Sequence, residues 1–521
     1  MVRTSGSWQS FAKLELMLGS PVLLLWGILW CMICGGHLSL AFVEGQDSRI
    51  ESLTSLKRLR DGICDHGIQK TRPHTVSILE FGAVGDGKTL NTHAFENAIF
   101  YLRSFADKGG AQLYVPPGEW LTGSFSLTSH LTLFIDQGGV ILGSQDITKW
   151  PVIDSLPSYG RGRELPGDRH MALIYGENLT DVVITGENGT VDGQGSVWWD
   201  LHRNGSLDKT RPHLVEFVNS KGILFSNVTF QNSPFWNLHP VYCSNLVFKD
   251  LTILAPHNSP NTDGIDPDSC TNVCIKDCFM SVGDDAIAIK SGWDEYGISY
   301  GKPSANIVIR NVYAITPTSA GIAIGSEMSG GVQNVSVQNM VIKNARTGFR
   351  LKTAAGRGGY VKNIHLSHIV MQNVSTAFAF TGAYGDHPDD KYDPEAYPVV
   401  DNIIITNVVG DLIHEAGSLF GIKEAPFRNI CLSQITLDVC GPFNWNCTNV
   451  EGVYKDVYPQ PCSQFLNDSR QVDIVCSSVQ SSYEEKEEDQ SWEGNVMARR
   501  IRTEERSRRS KPRVWCTRPE G

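Results

Sequence analysis

"NVSVQNMVI", residues 334–342, is one copy of a nine-residue phrase that decides the fold of this chain. An asparagine is followed by apolar residues at every second position, then by a second polar residue and further apolar residues. This period of two is typical of β-strands, in which successive side chains point to opposite faces. The phrase therefore predicts extended structure rather than helix.

The same phrase recurs along the chain. The other copies that begin with asparagine are NLVFKDLTI at 245–253, NVCIKDCFM at 272–280, NIVIRNVYA at 306–314, NIHLSHIVM at 363–371, NIIITNVVG at 402–410 and NICLSQITL at 429–437, and weaker copies begin at Asp181 and Gly222. Successive asparagines lie 27 to 39 residues apart, the size of one coil of a solenoid. No helical stripe long enough for a βαβ crossover separates the copies, which excludes a doubly wound sheet. The sequence predicts an all-β fold, a single-stranded, right-handed parallel β-helix.

Stacked coils turn equal offsets in sequence into neighbours in space, because adjacent strands lie about 4.8 Å apart. The recurrent asparagines are therefore expected to form amide ladders at the turns. Unusual polar or small side chains at similar offsets in four consecutive coils are expected to form one surface strip. The members of this strip are Asp263, Asp284, Asp285, Ala320, Arg350 and Lys352.

Three carboxylates within one or two strand spacings define the chemistry of the strip. Crowded carboxylates on an enclosed surface cannot all ionise normally, so at least one is expected to keep its proton near neutral or mildly acidic pH. A proton donor beside ionised carboxylates suits the cleavage of a glycosidic bond. Clustered carboxylates also bind calcium, and spacing alone favours neither interpretation over the other.

Composition narrows the class of protein. The chain has 521 residues, of which 41% are hydrophobic and 19% charged, so it can bury a large core. The formal net charge of -11 argues against general affinity for nucleic acid or anionic membranes. An acidic substrate would therefore need a local basic cleft.

The two ends of the chain differ in character from its middle. Residues 1–43 are predicted to be a signal peptide, with an apolar stretch at 22–33 and a small-x-small site at 39–41, or an uncleaved membrane anchor. A linker is expected at 44–75 and the β-helix at 76–476. Residues 477–521 carry EEKEED and then a basic block, which predicts a disordered charged tail.

Cysteines and glycosylation sequons also point to the secretory pathway. The chain has thirteen cysteines. Cys270, Cys274 and Cys278 lie four apart without a histidine pair at finger spacing, which favours disulfides over zinc. Asn-x-Ser/Thr sequons occur at Asn178, Asn188, Asn204, Asn227, Asn334, Asn373, Asn446 and Asn467.

Four ordered segments resemble glycoside hydrolase family 28, the polygalacturonases, which have the pectin-lyase-like solenoid fold. They are NTDGID at 261–266, GDD at 283–285, GIAIGS at 321–326 and RLK at 350–352. Residues 81–99 are similar to the opening of pectin-degrading β-helices, and the resemblance covers about 76–470. It implies hydrolysis of α-1,4-galacturonosyl linkages in pectin (homogalacturonan) with inversion, without a metal or cofactor. Carried onto this chain, it makes Asp284 the general acid, while Asp263 and Asp285 activate water.

The resemblance also implies a basic substrate-binding motif. Arg350 is suited to a bidentate contact with a substrate carboxylate and Lys352 to a point-charge contact, and Asn261 is expected to bind substrate as well. Lys290, Arg357 and His257 are expected near the cleft. In an inverting enzyme the acid and base carboxyls typically lie about 6.5 to 9.5 Å apart.

One position departs from the family pattern. The third motif usually reads Gly-His-Gly, whereas this chain has Ser319-Ala320-Gly321. Alanine cannot donate a side-chain hydrogen bond to a catalytic carboxylate, so the tuning of the aspartates is open, and Glu327 is one candidate to compensate. The segments GSEMSGG at 325–331 and GRGGYV at 356–361 resemble exo-acting members and favour exo action.

Two alternatives remain at this stage. The chain could hydrolyse rhamnogalacturonan or another branched pectin, or it could bind pectin without turnover, which Ala320 motivates. The intact aspartate and basic motifs argue against a calcium-dependent lyase. The expected partner is a pectic polysaccharide and no nucleic acid, the expected oligomeric state is a monomer, and the expected location is extracellular, in a plant cell wall. Membrane attachment is expected only if the N-terminal segment is an uncleaved anchor.

Overall fold

A stack of short parallel strands forms the body of the protein. The computed structural model describes residues 62–64, 71–442, 444–467 and 476. The N-terminal segment 1–43, the tail 477–521 and most of the linker 44–75 lie outside the described residues. Within the described ranges, no helix is both long and apolar enough to cross a membrane.

Strands fill about half of the described chain. Their bounds are His74–Ser77, Ala111–Val115, Gly118–Thr122, Phe125–Ser126, Leu131–Ile135, Gly139–Gly143, Val152–Ile153, Arg169–His170, Ile174–Glu177, Thr180–Gly186, Gly189–Asp192, Val215–Val218, Lys221–Ser226, Val228–Gln231, Leu238–Val241, Ser244–Lys249, Thr252–Leu254, Thr271–Ser281, Ile287–Ile289, Ser304–Ile315, Ala320–Ile324, Val332–Lys352, Tyr360–Thr381, Val399–Phe420, Phe427–Val439, Trp445–Thr448, Val450–Tyr458 and Phe465–Leu466. The α-helices are Thr92–Leu102, Ser196–Arg203 and Asp294–Tyr300, and short 3₁₀ helices span Ile78–Phe81, Arg103–Lys108 and Ile147–Lys149.

Strand pairing confirms the predicted parallel β-helix. One column of paired residues runs through the repeats as Ile223, Leu246, Val273, Ile307, Val335, Ile364, Ile403 and Ile430. Every member of this column is buried in one continuous apolar core. Each coil therefore covers the apolar face of the coil before it, as expected for a solenoid whose units cannot bury their own faces.

An asparagine ladder runs along one edge of the stack, as the repeats predicted. Each asparagine donates from Nδ2 to Oδ1 of the asparagine one coil earlier, and the ladder runs through Asn245, Asn272, Asn306, Asn334, Asn363 and Asn402. All six have φ near +57°, a left-handed conformation that asparagine tolerates better than most residues. Asn429 leaves the ladder and donates to Asp401 Oδ1 instead.

Disulfides confirm part of the cysteine prediction. Cys274 pairs with Cys64, while Cys431 pairs with Cys476 and Cys447 with Cys462. The disulfide prediction is wrong for Cys270, which is a buried free thiol on the core face of the stack. Spacing of four residues did not reveal this difference, because Cys270 belongs to the core, whereas Cys274 lies outside it and packs beside Cys64.

Candidate active site

One sheet of the solenoid aligns the sequence-predicted acids. Leu238, Ile265, Ile287, Ile322 and Phe349 form a paired column on consecutive coils. Asp263, Asp285 and Ala320 each lie two residues before a member of this column. The backbone of Gly264 donates to Asp285 O at 3.0 Å, and that of Ala286 donates to Ala320 O at 2.9 Å. The predicted strip is therefore confirmed for these three positions.

The two basic residues lie further along the sheet than the offsets predicted. Arg350 pairs with Ala323 rather than Ala320, so the strip prediction is wrong for Arg350 and Lys352. The aligned position in this coil is Thr347, three residues before Arg350, so the offsets of Arg350 and Lys352 were matched too loosely. Lys352 nevertheless reaches the acids through its long side chain, since its Nζ lies 2.7 Å from Asp285 Oδ2.

Three carboxylates meet at this place. One oxygen each from Asp263, Asp284 and Asp285 lies within 4.8 Å of the other two. This limit joins single oxygens, whereas the spacing of about 6.5 to 9.5 Å expected of an inverting enzyme separates whole carboxyl groups. The oxygen contacts therefore do not decide the stereochemistry. A water molecule at ordinary hydrogen-bond distance from two oxygens still fits such a gap.

Asp285 is held as an anion. Its Oδ1 accepts from Ser319 Oγ at 2.5 Å and from Ala320 N at 2.9 Å, and its Oδ2 accepts from Lys352 Nζ. Burial alone would raise the pKa of Asp285, but the positive charges of Lys352 and Arg350, with these hydrogen bonds, lower it to about 2. Calcium needs about six to eight oxygen ligands, and two cations beside an already occupied carboxylate suit it poorly.

The other two aspartates are pushed toward the protonated state. Burial and the neighbouring charge of Asp285 raise the pKa of Asp284. Burial, followed by Asp266 and Asp284, raises the pKa of Asp263 well above its usual range. Asp284 is half-buried, whereas Asp263 is 3% exposed. The site therefore combines one ionised carboxylate with two that favour their protons.

A further carboxyl, which the motif comparison did not single out, lies beside the three. Asp266 is fully buried, and neither of its carboxylate oxygens has a hydrogen-bond partner. Burial raises its pKa to about 7 against the opposing charges of Lys290 and His239. Its place three residues after Asp263 within the NTDGID segment gave no separate signal of this role.

Lys290 and Glu327 form a buried ion pair behind the acids. Lys290 Nζ lies 3.2 Å from Glu327 Oε2 and 4.3 Å from the centroid of the Trp236 ring. Burial acts to raise the pKa of Glu327, but the charges of Lys290 and Arg163 hold it well below its usual range. Glu327 therefore pairs with Lys290 and Arg163, and the structure shows no hydrogen bond between Glu327 and the three aspartates.

A loop contacts residues at both ends of strands in this sheet, because Arg211 precedes the strand Val215–Val218 and Glu327 follows the strand Ala320–Ile324. Residues 161–165, here called the strap, are anchored on both edges of the sheet. On one edge Arg163 pairs with Glu327 at 2.6 Å and with Asp386 at 2.8 Å. On the other edge Glu164 accepts three side-chain hydrogen bonds from Arg211. Sequence reasoning missed the strap because its contacts join residues far apart in the chain.

Polar side chains on neighbouring coils of this sheet are buried although they face away from the core. Glu216, His239 and Asp266 each follow a core residue in sequence, and each is at most 1% exposed. His239 Nδ1 lies 2.9 Å from Glu216 Oε1. Burial acts to lower the pKa of His239, but the carboxylates of Asp268 and Glu216 raise it to about 9. Ion pairs with Arg169 and His239 therefore offset the burial of the Glu216 carboxylate.

The remaining sequence-predicted residues lie at varied distances from the acids. Asn261 accepts a hydrogen bond from Arg211 through its side-chain oxygen at 2.9 Å, so only its amide nitrogen remains for a substrate. His257 contacts Ser281, and burial lowers its pKa. Arg357 is fully buried against Asp294 and holds backbone carbonyls of the loop at 382–398. Arg350 is half-buried, with its guanidinium 5.6 Å from the Tyr384 ring centroid.

Comparison with known proteins adds independent evidence. The family model described as glycosyl hydrolases family 28 matches residues 162–462. A probable polygalacturonase from Vitis vinifera is 51% identical to this chain over 409 residues, which cover 78% of this chain and 83% of the relative.

Two solved structures of similar fold are an exopolygalacturonase and a polygalacturonase. A hyperthermoactive exopolygalacturonase from Thermotoga maritima superposes with a TM-score of 0.63 at 28% identity, covering 76% of this chain and 96% of that one. A polygalacturonase from Erwinia carotovora ssp. carotovora has a TM-score of 0.59 at 22% identity, covers 74% of this chain and 98% of its own, and supports the fold.

Proposed function

Because the chain belongs to glycosyl hydrolases family 28, we propose that it hydrolyses the α-1,4-galacturonosyl linkages of pectin. The observation that carries this proposal is the three-aspartate cluster, in which Asp285 is ionised while Asp284 and Asp263 favour their protons. Hydrolysis of a glycosidic bond needs this combination of an acid and a base.

Asp284 is the proposed general acid. Its pKa is raised, so it holds a proton at mildly acidic pH, and its half-buried side chain has access to the cleft. Its Oδ1 accepts a hydrogen bond from the backbone of Asp285 at 2.9 Å, which fixes the orientation of the carboxyl. The proton passes to the glycosidic oxygen as the bond breaks, so that the departing sugar leaves as an alcohol.

Asp285 is the proposed base, with Asp263 orienting the attacking water. Both oxygens of Asp285 already accept hydrogen bonds, which favours holding a water over direct attack on the sugar. Attack by that water gives inversion. The resemblance implied that Asp263 and Asp285 both activate water. The raised pKa of Asp263 instead supports a protonated carboxyl that donates to the water or shares its proton with the cluster.

Arg350 is the proposed contact for a substrate carboxylate. Its guanidinium is partly accessible, whereas Lys352 is committed to Asp285. A uronate substrate supplies the negative charge that Arg350 favours, and a neutral sugar would not. This arrangement favours homogalacturonan over a rhamnogalacturonan, whose alternate residues lack the carboxylate.

Incubation of the purified protein with polygalacturonate tests the proposal. We expect release of reducing ends without products that absorb in the ultraviolet. Unsaturated, ultraviolet-absorbing products would indicate a lyase instead. Binding of the polymer without release of reducing ends would support the alternative of a pectin-binding protein. Release of reducing ends from a branched rhamnogalacturonan alone would support the alternative of a hydrolase for branched pectin.

The strap favours exo action. Its contacts with Arg211 and Glu327 join the two edges of the sheet, so we expect it to obstruct an internal segment of a long polymer. We expect the first detectable product to be a single galacturonate, with slow loss of viscosity. Replacing Arg163 by alanine removes one anchor of the strap and is expected to increase the share of longer products.

Chromatography of the early products from the unmodified protein and from Arg163→Ala measures the share of longer products. Arg203→Ala is a matched control, because the exposed Arg203 side chain contacts Asp200 and the backbone of Asn258 rather than the strap. Rapid viscosity loss with mixed oligomers from the unmodified protein would rule out exo action, whatever the variants do.

We further propose a secreted monomer that acts in the cell wall, with a membrane-anchored form as the alternative. The disulfides, including Cys64–Cys274, suit an oxidising compartment. Pectic polysaccharide is the proposed partner. Detection of the protein in a wall-free membrane fraction would favour the anchored form, and a molar mass twice that of the chain would contradict the monomer.

Restoring the family histidine is expected to harm this protein. Ala320 is fully buried in a cluster with Ala288 and Ala323, so a histidine side chain has no room there. We expect Ala320→His to lower the free energy of unfolding by about 1–3 kcal/mol, as overpacking usually does, and to reduce activity. Denaturant unfolding and initial rates check this. Higher activity at unchanged stability would show that alanine is a defect.

A further inference from the structure

Segment 316–320 makes several hydrogen bonds to the tripeptide Gly283-Asp284-Asp285 of the preceding coil, which contains the proposed acid and base. Thr318 Oγ1 donates to Gly283 O and Thr316 Oγ1 donates to Asp284 O, each at 2.6 Å. Ser319 Oγ donates to Asp285 Oδ1. Each residue of the tripeptide is thus held by a different hydroxyl from one short stretch of the next coil.

Ser319 differs from the two threonines in what it contacts. The threonines bind backbone carbonyls, which fixes the path of the chain. Ser319 binds a charged carboxylate oxygen, at 2.5 Å, and is itself 4% exposed. A hydrogen bond to a charged group in a buried setting is among the stronger ones in proteins, because it stabilises the ionised state over the protonated one.

We infer that Ser319 is a positioning residue for the reaction: its hydroxyl keeps the Asp285 carboxylate ionised and aimed at the attacking water. It does so beside Ala320, at the motif where the family pattern has a histidine. The backbone N–H of Ala320 supplies the second donor to the same oxygen. This inference rests on the proposed hydrolysis and adds a residue that neither the motif nor its spacing indicated.

The charge state of Asp285 depends on several groups around it. Those that face it from the packed coils are Asp263 and Asp266 from the preceding coil, Asp284 and Lys290 from its own coil, and Arg350 and Lys352 from the strand beyond. Ser319 is the uncharged side-chain donor to this carboxylate in the described part of the chain. Its removal leaves all of these charges in place, while the Ser319 hydroxyl also acts to lower the pKa of Asp284.

The test compares Ser319→Ala with Thr318→Ala as a matched control. Thr318→Ala removes a hydroxyl from the same segment without touching a carboxylate. Loss of the Ser319 hydrogen bond is expected to shift the acidic limb of the pH profile of kcat/KM to higher pH, by about one to two pH units. Each variant is measured against unmodified protein on the same substrate, and their ratio cancels titration of the substrate's own carboxylates.

An upward shift of the acidic limb in Ser319→Ala, but not in Thr318→Ala, supports the inference. Equal shifts in both, or a shift in neither, would overturn it while leaving the proposed hydrolysis intact. Ser319→Thr keeps a hydroxyl and should keep the original limb, which provides a second test if the alanine variant does not fold. An unmodified protein without hydrolase activity would overturn both proposals.

Discussion

Replacing Asp284 by asparagine is expected to lower kcat on polygalacturonate by about 10²–10⁴-fold, the usual contribution of a general acid. Asparagine keeps the shape of the side chain and can still accept the hydrogen bond from the Asp285 backbone. It cannot deliver a proton to the glycosidic oxygen. The variant should therefore fold and bind substrate normally while losing the chemical step.

Substrate chemistry separates this role from a structural one. A synthetic galacturonide with a good leaving group needs little protonation, so Asp284→Asn should lose much less activity on it than on the polymer. Asp107→Asn provides the matched control, because Asp107 is exposed and lies far from the site in sequence and fold. Equal release of reducing ends by Asp284→Asn and the unmodified protein would show that Asp284 is not the general acid.

Replacing Lys352 by methionine is expected to have the second large effect. Both Lys352 and Asp285 are buried, so the substitution leaves a buried carboxylate without its cation. Breaking a buried pair in this way typically costs about 3–5 kcal/mol of stability. The pKa of Asp285 should rise, so that the proposed base becomes protonated at mildly acidic pH and activity falls there most.

The stability loss should depend on pH. In the unmodified protein the pKa of Asp285 is lowered, to about 2, so its stabilising contribution is present above the unfolded value of about 3.9 and is lost as pH falls toward 2. The gap in unfolding free energy between the two proteins should be larger at pH 7 than at pH 3. Denaturant unfolding at both values, with exposed Lys221→Met as control, measures it. A gap that is absent at pH 7 would contradict the buried pairing.

Repetition explains why the fold could be predicted from the sequence. Each asparagine with alternating apolar neighbours marks one coil, and coils stack in register through their core residues. Asp263 and Asp285 could also be placed together, because both precede paired core residues on adjacent coils. Arg350 was misplaced because its offset differs by three residues from that of Thr347, which pairs with Ala320.

Contacts between distant segments were beyond the reach of the sequence. The strap depends on pairings such as Arg163 with Asp386, which no repeat encodes. The role of Ser319 was also hidden, because the family pattern drew attention to the neighbouring Ala320 and to a missing histidine. Charge alone could not assign Asp266 either, since its raised pKa comes first from burial.

The proton assignments of the three aspartates support a mechanism in which a water attacks as Asp284 gives up its proton. Stereochemistry tests this mechanism directly, because inverting and retaining enzymes release opposite anomers first. Proton NMR of the sugar released in the first turnovers reads the outcome before the anomers equilibrate. We expect the β-anomer from the α-linked polymer, formed by the unmodified protein and greatly slowed in Asp284→Asn. Release of the α-anomer first would contradict the water-activating role of Asp285.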